Sequence, residues 1–326
     1  MRLNRLVHGS SRPEVAQSFL YRLCLWVTLL ASATSFFFLY LQFFNWNPDP
    51  RITLPGMVYG TAHRPFVYRV LAPALIRLLA AITPLSLRFL AAAIMYLSLV
   101  GFVFAFRYLL SALWRPSLFT DLLSIGAILA LTPFILSAGR HLYDFSTLGL
   151  FTLGFALMAR ARWTGYLLIF LLACLNKETA LLLGLVFALH FYRKITAVAY
   201  RNLLLLQAAL YAATRLTLAW VFRNNPGELV EYHLPQQFEA VAAHPGLTAA
   251  WLCLGVWVAG LVLYRWKDKP VFLRNALLAA LPPLAVLFLF FGAPFEFRVF
   301  YEVYPVIFLL AAHTVGLLLG LKLDAP

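Results

Sequence analysis

The sequence predicts an all-α integral membrane protein of about ten transmembrane helices, in which a long first outer loop carries an amphipathic interfacial helix. Three observations lead there. Hydrophobic residues make up 63% of the 326-residue chain and charged residues only 12%, with a mean hydropathy of +0.84, more than the surface of a soluble domain carries. Apolar runs recur near the roughly 20 residues that take a helix across a bilayer core. Loops rich in Arg and Lys alternate along the chain with loops that hold the acids. The whole chain, 1–326, reads as one transmembrane domain.

The first apolar run, 23–44, is longer than a signal-peptide core and lacks a small-residue cleavage site, so it is expected to stay in place as a signal anchor. Further spans are expected at 86–111, 118–138, 145–159, 164–176, 179–192, 196–222, 247–265, 271–291 and 303–320. Arg107/Arg115, Arg160/Arg162, Arg193/Lys194/Arg201 and Arg265/Lys267/Lys269 then fall on one side with Arg2, Arg5, Arg12 and Arg22. Positive loops stay inside, so both termini are expected in the cytoplasm and the chain in the plasma (inner) membrane. The net charge of +14 therefore reads as orientation and attraction to anionic lipid headgroups, and no nucleic acid partner is implied. Trp46, Trp114, Trp163, Trp220, Trp251 and Trp266 fall at the expected span ends, where interfacial belts form. Cys24, Cys174 and Cys253 lie in apolar runs without a CxxC pair, so they are read as packing residues with no disulfide framework.

On the other side lie Asp49, Asp144, Glu178, Glu228, Glu231, Glu239, Glu296 and Glu302; only the place of Glu178 depends on how the short spans are parsed. Charge is expensive in a membrane, so this clustering marks a working face. The spans at 145–159, 164–176 and 179–192 are short, about 20 Å of helix each. Their outer ends should sit in a recess, together with Asp144, Asn176, Lys177 and Glu178. A second parse starts the fourth span at Gly139 and folds the next two into a re-entrant hairpin; both parses leave these residues recessed.

The first outer loop, 45–85, opens with Asn47-Pro48-Asp49-Pro50, where two prolines stiffen the chain around one carboxylate. It continues into HRPFVYRVLAPALIRLLAAI. Here Tyr68, Leu71, Leu75, Leu78 and Leu79 can share a helical face, with Arg69 and Arg77 towards another, as in an interfacial helix that borders a lipid portal or simply rests on the bundle.

An acid just after the first span in a long outer loop with a surface helix, a second acid at the next outer turn, and short spans with basic residues at the outer face resemble the GT-C superfamily. The resemblance covers the architecture of roughly the first 200 residues. GT-C proteins are multi-span glycosyltransferases that take a sugar from a polyprenyl-phosphate or polyprenyl-diphosphate carrier, as protein O-mannosyltransferases and aminoarabinose transferases do. Asp49 matches the family's first-loop catalytic acid, and Asp144, in Arg140-His141-Leu142-Tyr143-Asp144, its second-loop acid. The paired acids of some branches and a large C-terminal soluble domain are absent. The resemblance implies membrane lipids and a polyprenyl-phosphate-linked sugar as partners, with a glycan, lipid or protein as acceptor.

The chemistry follows from residue type. An acceptor hydroxyl loses its proton as it attacks the anomeric carbon, so a carboxylate serves as general base; Asp49 is the candidate. The departing lipid phosphate needs fixed cations, for which Arg140, Lys177 and Arg298 are candidates, with Arg64 and Arg69 near the entry. Single displacement inverts the anomeric centre. His141, Tyr143, Asn176, Glu178, Glu296, Glu302 and His233 complete the set of site candidates. No cofactor is called for: no metal-ligating cluster is evident, and a divalent cation finds no support.

Plainer readings stand beside these. Asp49 is also a natural turn residue, and Asp144 a natural N-cap of the fourth span. Asn176-Lys177-Glu178-Thr179 also reads as a cap opening the sixth span, although a cap has no use for Lys177. Arg298 and Glu302, four apart, could pair locally beside Glu296. Phe295, Phe297, Phe300, Tyr301 and Tyr304 suit packing as well as sugar stacking. The loop 223–246, with Glu228, Glu231, Glu239, His233 and His244, offers an acceptor surface or a solvated connector. No P-loop, GxSxG, HExxH or dinucleotide fingerprint occurs. The alternatives are another lipid-linked polysaccharide polymerase or ligase, and a transporter or flippase, which would show paired halves and charges near the bilayer midplane.

The orientation is open to a direct check. A reporter fused at Gly60 should behave as external, and one fused after 320 as cytoplasmic; a cytoplasmic signal at Gly60 would reverse every loop assignment.

Overall fold

The computed structural model describes residues 19–46, 49–135, 139–228, 230–321 and 323. Arg2, Arg5 and Arg12, which contribute to the predicted orientation, and Pro48, one of the two prolines flanking Asp49, lie outside the described residues, as do residues 136–138 of the expected third span. Among the described residues the chain is helical throughout, with a single isolated bridge between Arg64 and Gly227.

Six helices are long and apolar enough to cross a membrane: α1 (Phe19–Gln42), α4 (Leu87–Leu113), the broken segment Leu118–Ile135, α10 (Ala197–Val221), α12 (Pro245–Leu263) and α13 (Val271–Phe291). They make this a multi-pass membrane protein. The broken segment consists of α5 (Leu118–Leu129) and α6 (Thr132–Ile135). Pro133 explains the break: it has no N–H to give to the Leu129 carbonyl, which accepts the Thr132 hydroxyl at 2.7 Å instead. The remaining apolar helices, α7 (Asp144–Ala159), α8 (Trp163–Asn176), α9 (Leu181–Phe191) and α14 (Tyr304–Leu318), have 16, 14, 11 and 15 residues. At 1.5 Å per residue each rises less than the roughly 30 Å of a bilayer core. α8 and α9 are separate helices divided by a 3-10 turn at Glu178–Ala180, and the helix expected as the fourth span starts at Asp144 rather than Gly139.

The core is built around α7. It lies along α4 and α8, while α9 packs on α13, and α14 on α12, α13 and α5. Close approach of α4 and α7 depends on Gly149, where an added Cβ would stand 3.4 Å from the Ser98 carbonyl oxygen and 3.5 Å from the Phe102 nitrogen. Large apolar side chains outside the core, among them Leu252, Val256 and Trp257 on α12, face outward, as a lipid-exposed surface requires.

The loops differ from expectation in several ways. The segment between α1 and α4 holds α2 (Leu54–Tyr59), a 3-10 turn at Phe66–Tyr68 and α3 (Leu71–Ile82). On α3 the buried face is Ala72, Pro73 and Ile76, whereas Leu75 and Leu78 point outward. The chain turns at Val70 before α3 begins, so Tyr68 and Arg69 are not on that helix, while Leu71, Leu75, Leu78 and Leu79 share its outward face. The loop 223–246 is not an irregular connector, since it contains α11 (Leu234–Ala243). Trp114 is buried against His313 instead of lying in an interfacial belt. Cys174 is buried, but Cys24 and Cys253 are exposed rather than packed.

The α4–α7 contact predicts a mutational outcome. Gly149→Leu should lower the melting midpoint of the purified protein, with overpacking costing about 1–3 kcal/mol, while Gly101→Leu on the open side of α4 should not. Equal melting of the two variants would show that the α4–α7 interface can spread without penalty.

Candidate functional site

The predicted residues gather where several helices end. α1 brings Tyr40, α7 brings Asp144 at its first residue, α8 ends at Asn176, and the 3-10 turn Phe297–Glu302 precedes α14. The first outer loop contributes Arg69, which a backbone hydrogen bond from Val70 N–H to the Leu175 carbonyl (2.9 Å) holds against the end of α8.

Arg298 is the centre of this cluster. Its guanidinium donates to Asp144 Oδ1 at 2.8 Å and to Glu296 Oε1, with Arg298 and Asp144 both buried. Asp144 Oδ2 accepts the His141 N–H at 2.8 Å and the Tyr40 hydroxyl at 3.3 Å. Lys177 Nζ donates to Glu302 Oε1 at 2.7 Å, and the same oxygen accepts the Thr179 hydroxyl at 2.7 Å. Arg69 pairs with Glu178 at 2.9 Å and also donates to the Tyr143 hydroxyl. The Tyr143 ring carries the Arg69 guanidinium at 4.6 Å and the Arg298 guanidinium at 5.8 Å, and His141 stacks on it at 5.2 Å. Gly139, at φ +67°, lets the chain pass over Arg298: a Cβ there would lie 3.3 Å from Arg298 Nε.

Burial first, and then the nearby Arg298, Arg69 and Lys177, hold His141 well below the usual histidine range, so its imidazole is neutral at pH 7. Glu178 keeps 40% of its side-chain surface open, while Glu302 is fully buried. Two buried atoms of the cluster, Arg298 Nε and Glu302 Oε2, have no hydrogen-bond partner: one donor and one acceptor.

These partners revise several expectations. Lys177 and Arg298 are not uncompensated cations, because each faces a carboxylate. Arg298 pairs with Asp144 and Glu296 rather than with Glu302, four residues on, because residues 297–302 form a 3-10 turn, in which that spacing does not align. Asn176 caps nothing. Its amide cross-links α8 to α7, donating to Thr147 Oγ1 at 2.8 Å and accepting from Ser146 Oγ at 2.7 Å. Asp144 is the first residue of α7 rather than its N-cap, which is Tyr143. Arg140 donates to the carbonyls of Phe43 and Ile135. The aromatic run is packing: Phe297 lies 4.2 Å from Trp251, and Tyr301 4.9 Å from Phe134.

Asp49 belongs to a second, more open cluster. Its carboxylate caps the 3-10 turn Pro50–Ile52 by accepting the Arg51 N–H at 2.8 Å, and it takes the Arg51 guanidinium through Nε at 2.8 Å and Nη2 at 2.6 Å. Arg51 reaches on to Glu231 at 2.8 Å, which His233 approaches at 3.3 Å. The hydrogen bond from the Arg51 side chain holds the Asp49 carboxyl below its ordinary 3.8. Arg64 is not at the Arg298 cluster: it donates to the Gly227 carbonyl at 2.6 Å and ties the segment after α1 to the one after α10. Glu228 and Glu239 are exposed. A cleft of ≈ 30 Å³ between Asn45, Trp46, Ile52, Arg140, His141 and Tyr143 lies between the first loop and the 139–143 segment.

Sequence reasoning did not single out Arg51, Tyr40 or Thr179. Arg51 had a readable signal, since a basic residue two beyond an acid that caps a turn can fold back on it. Tyr40 and Thr179 had none, because their partners are more than 100 positions away. Among the described residues, no three His, Cys, Asp or Glu side chains gather as metal ligands.

Arg298→Met should destabilise the protein by about 3–5 kcal/mol, because Asp144 would be left buried, and Glu296 half-buried, without a counter-charge. Adding Asp144→Asn should recover part of that loss, as read from melting midpoints; a double variant no better than the single one would mean that the pair does not couple. In comparisons with known proteins, the chain matches no family model, no curated protein and no solved structure.

Proposed function

We propose that this protein is a GT-C-like membrane glycosyltransferase that moves a sugar from a polyprenyl-phosphate or polyprenyl-diphosphate carrier to an acceptor hydroxyl at the outer face of the plasma (inner) membrane. In this reading α7, α8, α9 and α14 also cross the bilayer as part of ten spans, and both termini are cytoplasmic. The observation that carries the reading is the convergence of Arg69, Lys177 and Arg298 with Asp144, Glu178, Glu296 and Glu302 at helix ends, with one donor and one acceptor left unpartnered. Buried groups without partners are rare in folded proteins, and a polar ligand is one explanation for them.

The acceptor O–H loses its proton to Asp49, the oxygen bonds to the anomeric carbon, and the bond from that carbon to the carrier phosphate breaks with inversion. Arg69, Lys177 and Arg298 take up the charge on the departing phosphate by exchanging part of their contact with the carboxylates. Arg298 Nε and Glu302 Oε2 are both buried, so they meet a phosphate oxygen and a sugar hydroxyl only when the 139–143 segment moves aside. Asp144 holds Arg298 in place, and His141 and Tyr143 wall the recess. The clamp from Arg51 keeps Asp49 ionised at neutral pH at some expense in basicity.

The test is turnover of a polyprenyl-phosphate-linked sugar by the purified protein in vesicles, read as release of free polyprenyl phosphate. A flippase would move the carrier without cleaving it, and absence of release across sugar donors and acceptors would remove the enzyme reading. Asp49→Asn should reduce turnover by roughly 100-fold or more while donor binding persists. Because the folded carboxyl lies below its ordinary value, Asp49 is deprotonated above 3.8, and the rate should fall on the acid side only below that pH. An acid limb near pH 6 would point to another base.

A further inference from the structure

At the end of the bundle away from Arg298 and its partners, α1, α4 and α7 leave a lateral groove of ≈ 540 Å³. Its place follows from the helices: Trp26 stands 14 residues before Tyr40 on α1, about 21 Å along the axis. Trp26, Gly101, Phe104 and Leu153 give it an apolar wall, and Arg107, Tyr108 and Ser111 a polar end. Gly101 keeps the wall open, since an added Cβ would meet nothing within 4 Å.

The polar end is built, not incidental. Arg160, at the end of α7, lays its guanidinium on the Tyr108 ring at 4.2 Å and donates through Nη2 to Ser111 Oγ at 2.7 Å and to the Tyr108 carbonyl at 3.0 Å. Its Nε is buried and has no partner, and among the described residues no carboxylate lies within ion-pair distance of it. Arg107 sits over Trp26 at 5.3 Å with its charge offset by Asp121 at 2.8 Å. Behind Tyr108 and Ser111 of the lining, Arg160 therefore sets one fixed cation without a counter-charge beside the polar end of an apolar groove.

We infer that this groove binds an anionic glycerophospholipid, with the headgroup phosphate on Arg160 and an acyl chain along Trp26, Phe104 and Leu153. The complementary charge argues for an anion, and a guanidinium without a carboxylate partner suits phosphate oxygens. The apolar wall argues for a lipid over a soluble phosphate. Phe104 and its neighbour Leu97 are exposed on a helix long enough to span a membrane, so the groove opens towards acyl chains. Basic pockets between spanning helices hold anionic headgroups by this combination. The inference stands apart from the transferase reading, because it involves none of the residues at the other end of the bundle.

The experiment takes the full chain, purified in detergent and equilibrated with equimolar phosphatidylglycerol and phosphatidylcholine, and counts retained lipids by native mass spectrometry. Wild type should retain phosphatidylglycerol preferentially. Arg160→Gln should reduce that preference roughly fivefold, the effect of one cation near a headgroup. Gly101→Leu keeps every charge but fills the groove, and it should release the lipid. Arg162→Gln, at an exposed neighbouring position, should behave as wild type. Equal retention of the two lipids by wild type would overturn the inference, as would phosphatidylglycerol retention unchanged in Gly101→Leu, which decides the matter alone if Arg160→Gln does not fold. Displacement of the bound lipid by excess glycerol 3-phosphate would assign the site to a soluble phosphate instead.

Discussion

Charge withdrawn from water has to be neutralised where it stands, and in this chain that demand falls first on Arg298. Its guanidinium joins the segment before α14 to the first turn of α7 through Asp144, and to its own turn through Glu296. The approach of residues 139–143 over that guanidinium needs a backbone with positive φ and no side chain, which Gly139 supplies. With those residues fixed, His141 and Tyr143 take their places, and Tyr143 in turn presents its ring to Arg69. The architecture of this end of the bundle is thus a chain of dependencies that begins with one buried cation.

Such an arrangement is a poor means of gaining stability. Hydrophobic side chains of equal volume would hold helix ends together as well, because desolvation consumes most of what the ion pairs return. Between α4, α7 and their neighbours the bundle instead packs apolar side chains, with Phe102, Phe106, Phe151 and Phe155 filling the space. The contrast between an aromatic core and a crowded ionic end places the polar specialisation at that end. The short helices make it feasible, since their ends stop where partners from several segments converge.

The helices were legible in the sequence and their partnerships were not. Apolar runs bounded by charged or Pro-containing loops locate α4, α10 and α13 to within a few residues, because hydropathy over a span averages out local detail. The charged residues of the inner cluster were also legible as a set, since recessed charges in an apolar chain are conspicuous. Their pairing followed no local rule: the nearest acid to Arg298 along an ideal helix is Glu302, yet that residue faces Lys177. The start of α3 was hidden for a related reason: a helical wheel assumes one continuous helix, and the chain bends at Val70, which leaves Tyr68 and Arg69 off it.

The long sequence separations in the inner cluster bear on biosynthesis. Asp144 precedes Arg298 by 154 residues, and Lys177 precedes Glu302 by 125. During synthesis the ribosome delivers α7 and α8 well before the turn that neutralises them. The nascent chain therefore spends an interval with an orphan carboxylate and an orphan ammonium, which must stay hydrated or shielded by the insertion machinery. Final compaction of this end waits for the last segment of the chain, so a truncation upstream of Glu296 removes the closing step of assembly as well as a helix.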